Sequence, residues 1–357
     1  MNKTEILKKR LAESKFDALL VTSEVNEHYA TGFYYQDGYA VITKSGVYLI
    51  TDFRYIEAAQ AQANEGVTVL MPSDGQKALD VVGGVLKNDG ATVVAVEDAT
   101  LSLADFDRIK SELCGVELVY GASELLDNMR MVKTAEEIEK IRTAQSITDK
   151  AFEHILNFIS PERTEIDIAL ELEFFMRQQG AEGVAFDTIA VSGTASSQPH
   201  GVPRPVKLER GFLTMDYGAR VDGYCSDMTR TVVIGKADDD MKRLYNTVLE
   251  AQLAGLAAAR AGVAGADVDK VARDIIYAAG YEGCFGHGLG HGVGMYIHEA
   301  PRLSVVSKAT LEVGNVVTVE PGIYISGKYG CRIEDMIVIT DDGIYDFTQS
   351  PKELIEI

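Results

Sequence analysis

The chain has 357 residues, 46% of them hydrophobic, which is more than one core normally needs and enough to bury one or two domains. Its 54 acidic residues against 34 basic ones leave a net charge of −20, which repels phosphate backbones and anionic lipid surfaces, so neither nucleic acid nor membrane is expected as a partner. No run approaches the about 18 apolar residues of a membrane span and Met1 to Arg10 is polar, so neither a span nor a secretory signal is expected and the protein reads as cytoplasmic.

From Met1 to about Leu126 helix and strand patterns alternate. An amphipathic stretch from Ile6 to Phe16 precedes an apolar run at Ala18 to Thr22. Strands at Ala40 to Thr43 and Tyr48 to Thr51 flank the turn Lys44-Ser45-Gly46, and further strands are expected at Val67 to Met71 and Thr92 to Glu97, with helices between. This is an α/β domain over 1–126. At Asp127 to Thr134 strand character is lost, and Thr134 with Glu137 forms a capping-box signature that opens a helix through Phe158. The second domain, 127–357, continues with a helix over Thr164 to Gln179 and strands near Phe186 to Ser192 and Phe212 to Asp216. Helices over Asp239 to Ala261 and Asp267 to Ala279 precede the last strands, the order of an α+β domain built from two similar halves. Four cysteines (Cys114, Cys225, Cys284, Cys331) lack CxxC spacing and fit reduced, mostly buried thiols.

A near-repeat marks the two halves. Gly211 to Gly218 reads GFLTMDYG and Gly314 to Gly322 reads GNVVTVEPG, each an apolar strand ending in Thr, an apolar residue, an acid, any residue and Gly. A second acid follows each: Asp227 lies 11 residues after Asp216, and Glu334 lies 14 after Glu320. Asp222-Gly223 can turn the chain between the first pair, so Asp216 and Asp227 are expected to face each other across a hairpin. The same reading applies to Val316–Glu320 and Cys331–Ile339 around the Gly-rich segment Pro321 to Gly330. Any one of these acids alone is ordinary turn chemistry. Four of them converging would repel by about 4 kcal/mol per pair at about 4 Å and an effective dielectric near 20, so cations or protons must compensate.

Four of the six histidines stand in motifs: His200 in SQPHG, and His287, His291 and His298 in GHGLGHGVGMYIHEAP. The spacing is neither HExxH nor GxGxxG, and the glycines suit a strand or turn that lets backbone approach a ligand. An oxygen-rich carboxylate set with one imidazole suits Mn, Co or Fe better than a thiolate zinc site, and two ions are expected. Peptide cleavage at such a pair needs a bridging hydroxide as nucleophile and donors for the oxyanion and the leaving amine, roles for which His200 and His298 are candidates. Arg332, two residues before Glu334, is expected on the same strand face to orient that carboxylate. Arg302 either pairs with a substrate carboxylate or is a plain surface arginine. His28 and His154 carry no expected role.

DYG, DMTR, HGVG, HEAPR, VEPGIY and RIED together resemble the pita-bread metallopeptidases, in particular the aminopeptidase P and Xaa-Pro dipeptidase (prolidase) group, along the whole chain. TGF and LITDFRY near the front resemble, less specifically, that group's N-terminal creatinase-like domain. The resemblance implies a C-terminal pita-bread domain holding two metal ions, usually Mn with Co as the alternative. It implies Asp227 and Glu334 as bridges, Asp216 on one ion, and His291 and Glu320 on the other. Substrate and transition-state roles fall to His200, His287 and His298; Arg302 matches a position that binds a dipeptide's carboxylate, and Arg332 an arginine beside the bridging Glu. A homodimer acting on short proline-containing peptides is implied as well, and dimers of this group often bring the N-terminal region to the partner's active site. SQPHG and the loop FYYQDGY (Phe33 to Tyr39) depart from the common pattern.

Hydrolysis of Xaa-Pro dipeptides is therefore the leading expectation. Aminopeptidase P activity on longer peptides is the close alternative, and a non-catalytic peptide-binding module is the remote one. Methionine aminopeptidases normally lack a domain like residues 1–125, and creatinase-type hydrolysis uses no metal although every ligand position is intact here.

Overall fold

The computed structural model describes residues 2–357, which divide after Arg130 into two compact units. The division falls inside a helix, four residues beyond position 126.

The first unit is an α/β sheet domain. Helix α1 (Lys3–Ala12) is capped by the Asn2 side chain and ends before the predicted Phe16, because Ser14 turns the chain through a hydroxyl bond to Leu11 O. Strand β1 (Ala18–Val21) leads through Ser23, whose hydroxyl caps α2 (Glu24–Thr31). A hairpin of β2 (Tyr39–Thr43) and β3 (Val47–Ile50) follows, then α3 (Ile56–Gln62), β4 (Val67–Leu70), α4 (Ala78–Asn88), β5 (Val93–Val96), α5 (Leu103–Glu112), β6 (Glu117–Tyr120) and α6 (Ala122–Met131). The strand order is β4-β3-β2-β1-β5-β6; β1 runs parallel to β5, and β5 to β6, while β2 is antiparallel to both neighbours. The expected strands thus form one mixed sheet whose buried β1, β2 and β5 are near-continuous apolar runs, as covering on both faces requires.

The second unit begins with α7 (Ala135–Phe158), opened by the Thr134/Glu137 capping box, and α8 (Glu165–Gln178), opened by Thr164/Asp167. The short strand β7 (Gly183–Val184), β8 (Ile189–Ser192), a 3-10 turn (Gly193–Ser197), β9 (Gly211–Tyr217), β10 (Ala219–Val221), β11 (Tyr224–Cys225) and β12 (Met228–Ile234) complete its first half. The second half repeats the plan. Helices α9 (Asp239–Ala258) and α10 (Gly265–Ala278) precede β13 (Gly290–Gly292), β14 (Glu299–Leu303), β15 (Val316–Val319), β16 (Gly322–Ile325), β17 (Tyr329–Arg332), β18 (Asp335–Thr340) and β19 (Gly343–Asp346).

β8-β9-β12 is one antiparallel sheet and β13-β15-β18 is the heart of the other, so each half contributes a helical pair and a three-strand unit with the acids at its end. The turn of the first hairpin is as expected, since Asp222 and Gly223 both have positive φ, 49° and 80°, as the primed turn between β10 and β11 demands, but Asp216 faces Thr229 across the ladder rather than Asp227. The second differs. The run Cys331–Ile339 is not one strand, because Arg332 ends β17, which pairs with β16, and Asp335 starts β18, which pairs with β15. Ile333 and Glu334 lie in the break between two different partners. Arg332 and Glu334 consequently do not share the face of a continuous strand.

Candidate metal centre

The strand registers set the carboxylates. Thr229 pairs with Asp216 and Met228 with Tyr217, so Asp227 stands one step beyond the β9/β12 ladder. Val319 pairs with Asp335, so Glu320 and Glu334 both stand one step beyond the β15/β18 ladder. Positions just outside a ladder have side chains free of sheet packing, and both halves use them.

His291 sits in the middle of β13, which is squeezed between β14 and β15. A Cβ on Gly290 would fall 2.0 Å from Thr318 O and one on Gly292 2.3 Å from Ala300 O. The glycines around His291 therefore serve close approach of neighbouring strand backbone rather than of a ligand. His291 donates Nδ1–H to Gly292 O at 3.1 Å, which leaves Nε2 bare, and this lone pair faces Glu320 Oε1 at 3.3 Å and Asp227 Oδ2 at 3.5 Å. Ligand atoms of Asp227, His291 and Glu334 lie within 4.8 Å of one another, and among the described residues no other three acids, histidines or cysteines are grouped this way.

All are buried: Asp227 is 4%, Glu334 2% and His291 6% exposed. Burial, and then the Asp216 and Glu320 charges, push the Asp227 carboxyl well above its usual range; burial and Asp227 do the same to Glu334. Burial raises Glu320 to about 8 and lowers His291 to about 3. Without a cation the carboxylates must hold protons, and the imidazole is neutral.

Asp216 has its Oδ2 held by Arg332 Nη2 at 2.6 Å, while its buried Oδ1 has no partner among the described residues. A neutral imidazole lone pair, carboxylate oxygens without enough donors and an orphaned oxygen on Asp216, which lines the same cavity although it lies outside the group of three, fit divalent metal ions.

Supporting contacts come from residues that the sequence reading passed over. Thr229 donates to Glu334 Oε2 at 2.7 Å and accepts from Arg332 Nε at 2.9 Å. Thr318 donates to Glu320 Oε1 at 3.3 Å and accepts from His291 N at 3.1 Å. The signal was period two: Thr229 and Thr318 stand two residues from Asp227 and Glu320, on the same side of the chain. Tyr324 was not foreseen; its hydroxyl accepts from Arg332 Nη1 at 2.7 Å and reaches His287 Nε2 at 3.1 Å. Arg332 also reaches Pro199 O at 3.3 Å, next to His200. It thus ties Asp216, Thr229, Tyr324 and the His200 turn together, although not along a strand shared with Glu334.

A cavity of about 680 Å3 opens on this cluster and is lined by His200, His287, His298 and Arg302 as well. The His298 ring stands edge-on to His291 at 4.5 Å between centroids, and burial lowers its pKa. Burial, followed by the Arg332 charge, lowers His287 to about 4. Arg302, on β14, has no carboxylate partner among the described residues. Cys225 and Cys331 are buried thiols, each pushed up to about 12 by burial, and neither belongs to the ligand group.

Residues 139–341 match "Metallopeptidase family M24" and residues 3–132 match "Creatinase/Prolidase N-terminal domain". A relative from Pyrococcus furiosus named Xaa-Pro dipeptidase is 35% identical, covering 98% of this chain and 99% of its own. The solved structure of an Xaa-Pro dipeptidase from Bacillus anthracis is 43% identical with a TM-score of 0.94 and covers 99% of each chain. That of an X-Pro aminopeptidase from Thermotoga maritima is 37% identical with a TM-score of 0.91, covering 98% of this chain and 100% of its own.

Proposed function

The chain belongs to metallopeptidase family M24, whose members use divalent metals, and from that premise we propose that it hydrolyses the Xaa-Pro bond of dipeptides and short peptides. The observation that carries the reading is the bare His291 Nε2 facing Asp227 and Glu320 inside a buried carboxylate cluster. That donor set suits hard divalent ions, and the family resemblance points to two of them, Mn2+ with Co2+ as the alternative, which Asp216, Asp227, His291, Glu320 and Glu334 would hold. When bound, the ions supply a Lewis acid that polarises the scissile carbonyl and makes water acidic enough to attack near neutral pH.

The protein's own groups do the rest. Arg332 fixes Asp216 by one oxygen and leaves the other free for a cation. His287 donates Nδ1–H to Gly288 O, so its Nε2 accepts from Tyr324 O–H, and the chain Arg332, Tyr324, His287 holds that ring in one orientation. His298, neutral near physiological pH, and the exposed His200 line the cavity and can carry protons to the leaving amine or donate to the oxyanion. Arg302, unpaired, suits the terminal carboxylate of a dipeptide. The buried, protonated thiols of Cys225 and Cys331 support a reducing, cytoplasmic setting, and the family resemblance supports a homodimer.

A second reading, aminopeptidase action on longer peptides, is favoured by the likeness to the Thermotoga maritima enzyme and by a cavity roomier than a dipeptide needs. The test is to strip metal with a chelator, restore Mn2+ or Co2+, and compare proline release from an Xaa-Pro dipeptide with cleavage of an Xaa-Pro-Yaa tripeptide. Metal-dependent hydrolysis that favours the dipeptide is expected. A preference for the tripeptide would select the second reading, and no metal-dependent cleavage of either would sink both.

A further inference from the structure

The amino-terminal unit contains its own cavity, of about 630 Å3, a volume ordinary for a small-molecule site. Thr22 and Ser23 line it directly after β1, and Thr100 to Ser102 do so after β5, so it lies at the carboxyl ends of two adjacent parallel strands. In open α/β sheets that is where ligands bind.

Its charge is unbalanced. Of the four lining carboxylates, Asp37 pairs with Arg54 at 3.0 Å and Asp105 with Arg108 at 3.1 Å, and Arg108 is the one cation in the lining. Glu24 and Glu27 have no cationic partner among the described residues. They stand three apart on α2 and so share a face. Glu24 accepts only the Tyr34 hydroxyl, at 2.8 Å. Glu27 is 2% exposed, and its Oε1 has no hydrogen-bond partner among the described residues. Burial, then the charges of Glu97 and Glu24, raise its carboxyl to about 8. Glu97 offers no relief, since Ser23 N, Ser23 Oγ and Asn26 Nδ2 already donate to it at 2.9, 2.6 and 2.6 Å.

A buried carboxylate beside an acidic cavity needs a cation or a proton. A bare metal ion would need three or more convergent ligands, and no such group lies in this unit among the described residues. We propose that this cavity binds a small organic cation, whose primary ammonium seats between Glu27 and Glu24 while its remainder meets the hydroxyl-rich lining. An ammonium with its three donors satisfies both acids at once without the coordination geometry a metal demands.

The test uses the full-length, metal-loaded protein and two amines, putrescine and glycinamide, followed by saturation-transfer NMR and titration calorimetry. Binding of either at millimolar concentration is expected, and the tighter of the two tells whether the ammonium comes from a polyamine or from an α-amino compound. Glu27→Gln should weaken it about tenfold or more and Glu24→Gln by a smaller factor, whereas Asp227→Asn, which alters the peptidase centre, should leave it unchanged. If Glu27→Gln proves unfolded by circular dichroism, Glu24→Gln carries the comparison. Three outcomes would overturn the proposal: no binding of either amine, full affinity in the Glu24 and Glu27 variants, or displacement by Mn2+ or Na+ alone.

Discussion

His291 Nε2 presents a lone pair to two carboxyl groups at 3.3 and 3.5 Å, an arrangement that either protons or a cation must balance. The residues that hold the carboxylates should therefore tune metal affinity separately from chemistry. Thr229→Val keeps the side-chain shape but removes the donor to Glu334 and the acceptor for Arg332. It should weaken metal binding by about 10- to 100-fold with the fold intact, as loss of a partner behind a ligand does; unchanged affinity in a metal titration would contradict this. On the proposed reading Asp227→Asn and Glu334→Gln would each remove a metal ligand, and should lower kcat by on the order of a thousandfold or more with Mn2+ in excess. Arg302→Ala should instead raise KM for an Xaa-Pro dipeptide about tenfold while sparing kcat, because on the proposed reading Arg302 would meet only the substrate's terminal carboxylate. Equal losses in kcat would place Arg302 in the chemistry rather than in binding.

At the scale of elements, the strands carrying the acids were legible because their motif repeats. Thr, apolar residue and acid at a strand end recurs at Thr214–Asp216 and Thr318–Glu320, and the Asp222-Gly223 turn names its own hairpin. What stayed hidden were breaks and third-party contacts. An apolar run from Cys331 to Ile339 has the periodicity of one strand, and only the positions of β16 and β15 show that its two ends pair with different neighbours. Tyr324 lies eight residues from Arg332 in sequence and meets it only because β16 and β17 fold into a hairpin. Arg230 gave no signal beyond its place in DMTR. It is nonetheless fully buried, bonded to Asp335 Oδ1 at 2.8 Å, Glu334 O at 2.6 Å and Ser350 O at 2.8 Å. This guanidinium holds the start of β18, and with it the Glu334 backbone, against β12. Arg230→Met would leave Asp335 with Lys352 and Gln252 only and would strip donors from Glu334 O and Ser350 O, and should cost about 1.5–3 kcal/mol in denaturant unfolding of the metal-free protein. A variant as stable as wild type would show the Arg230–Asp335 pair to be dispensable.

Across the whole molecule, the buried acids and histidines make stability depend on pH in a way that metal reverses. Asp227 and Glu334 titrate well above the usual carboxylate range and Glu320 near about 8, so the folded metal-free protein holds protons that the unfolded chain releases. Stability from these raised acids is complete below the unfolded carboxylate pKa near 4.5 and is lost as pH climbs through the folded values. His291 and His287 act in the opposite sense. Lowered to about 3 and about 4 from a usual 6.5, they favour the folded state fully above 6.5 and less as pH falls. Below 6.5 the two effects oppose each other; between about 6.5 and 8 only the carboxylates still change. The melting temperature of chelator-treated protein should therefore fall from pH 6.5 to 8. Saturating Mn2+ should raise it at both, and by more at pH 8, because fewer protons remain for the metal to displace. Differential scanning fluorimetry over this range, with and without Mn2+, measures both slopes. A metal-free melting temperature that is flat or rising would mean that the cluster is already charge-balanced without metal, and would remove the electrostatic reason for a cation at His291.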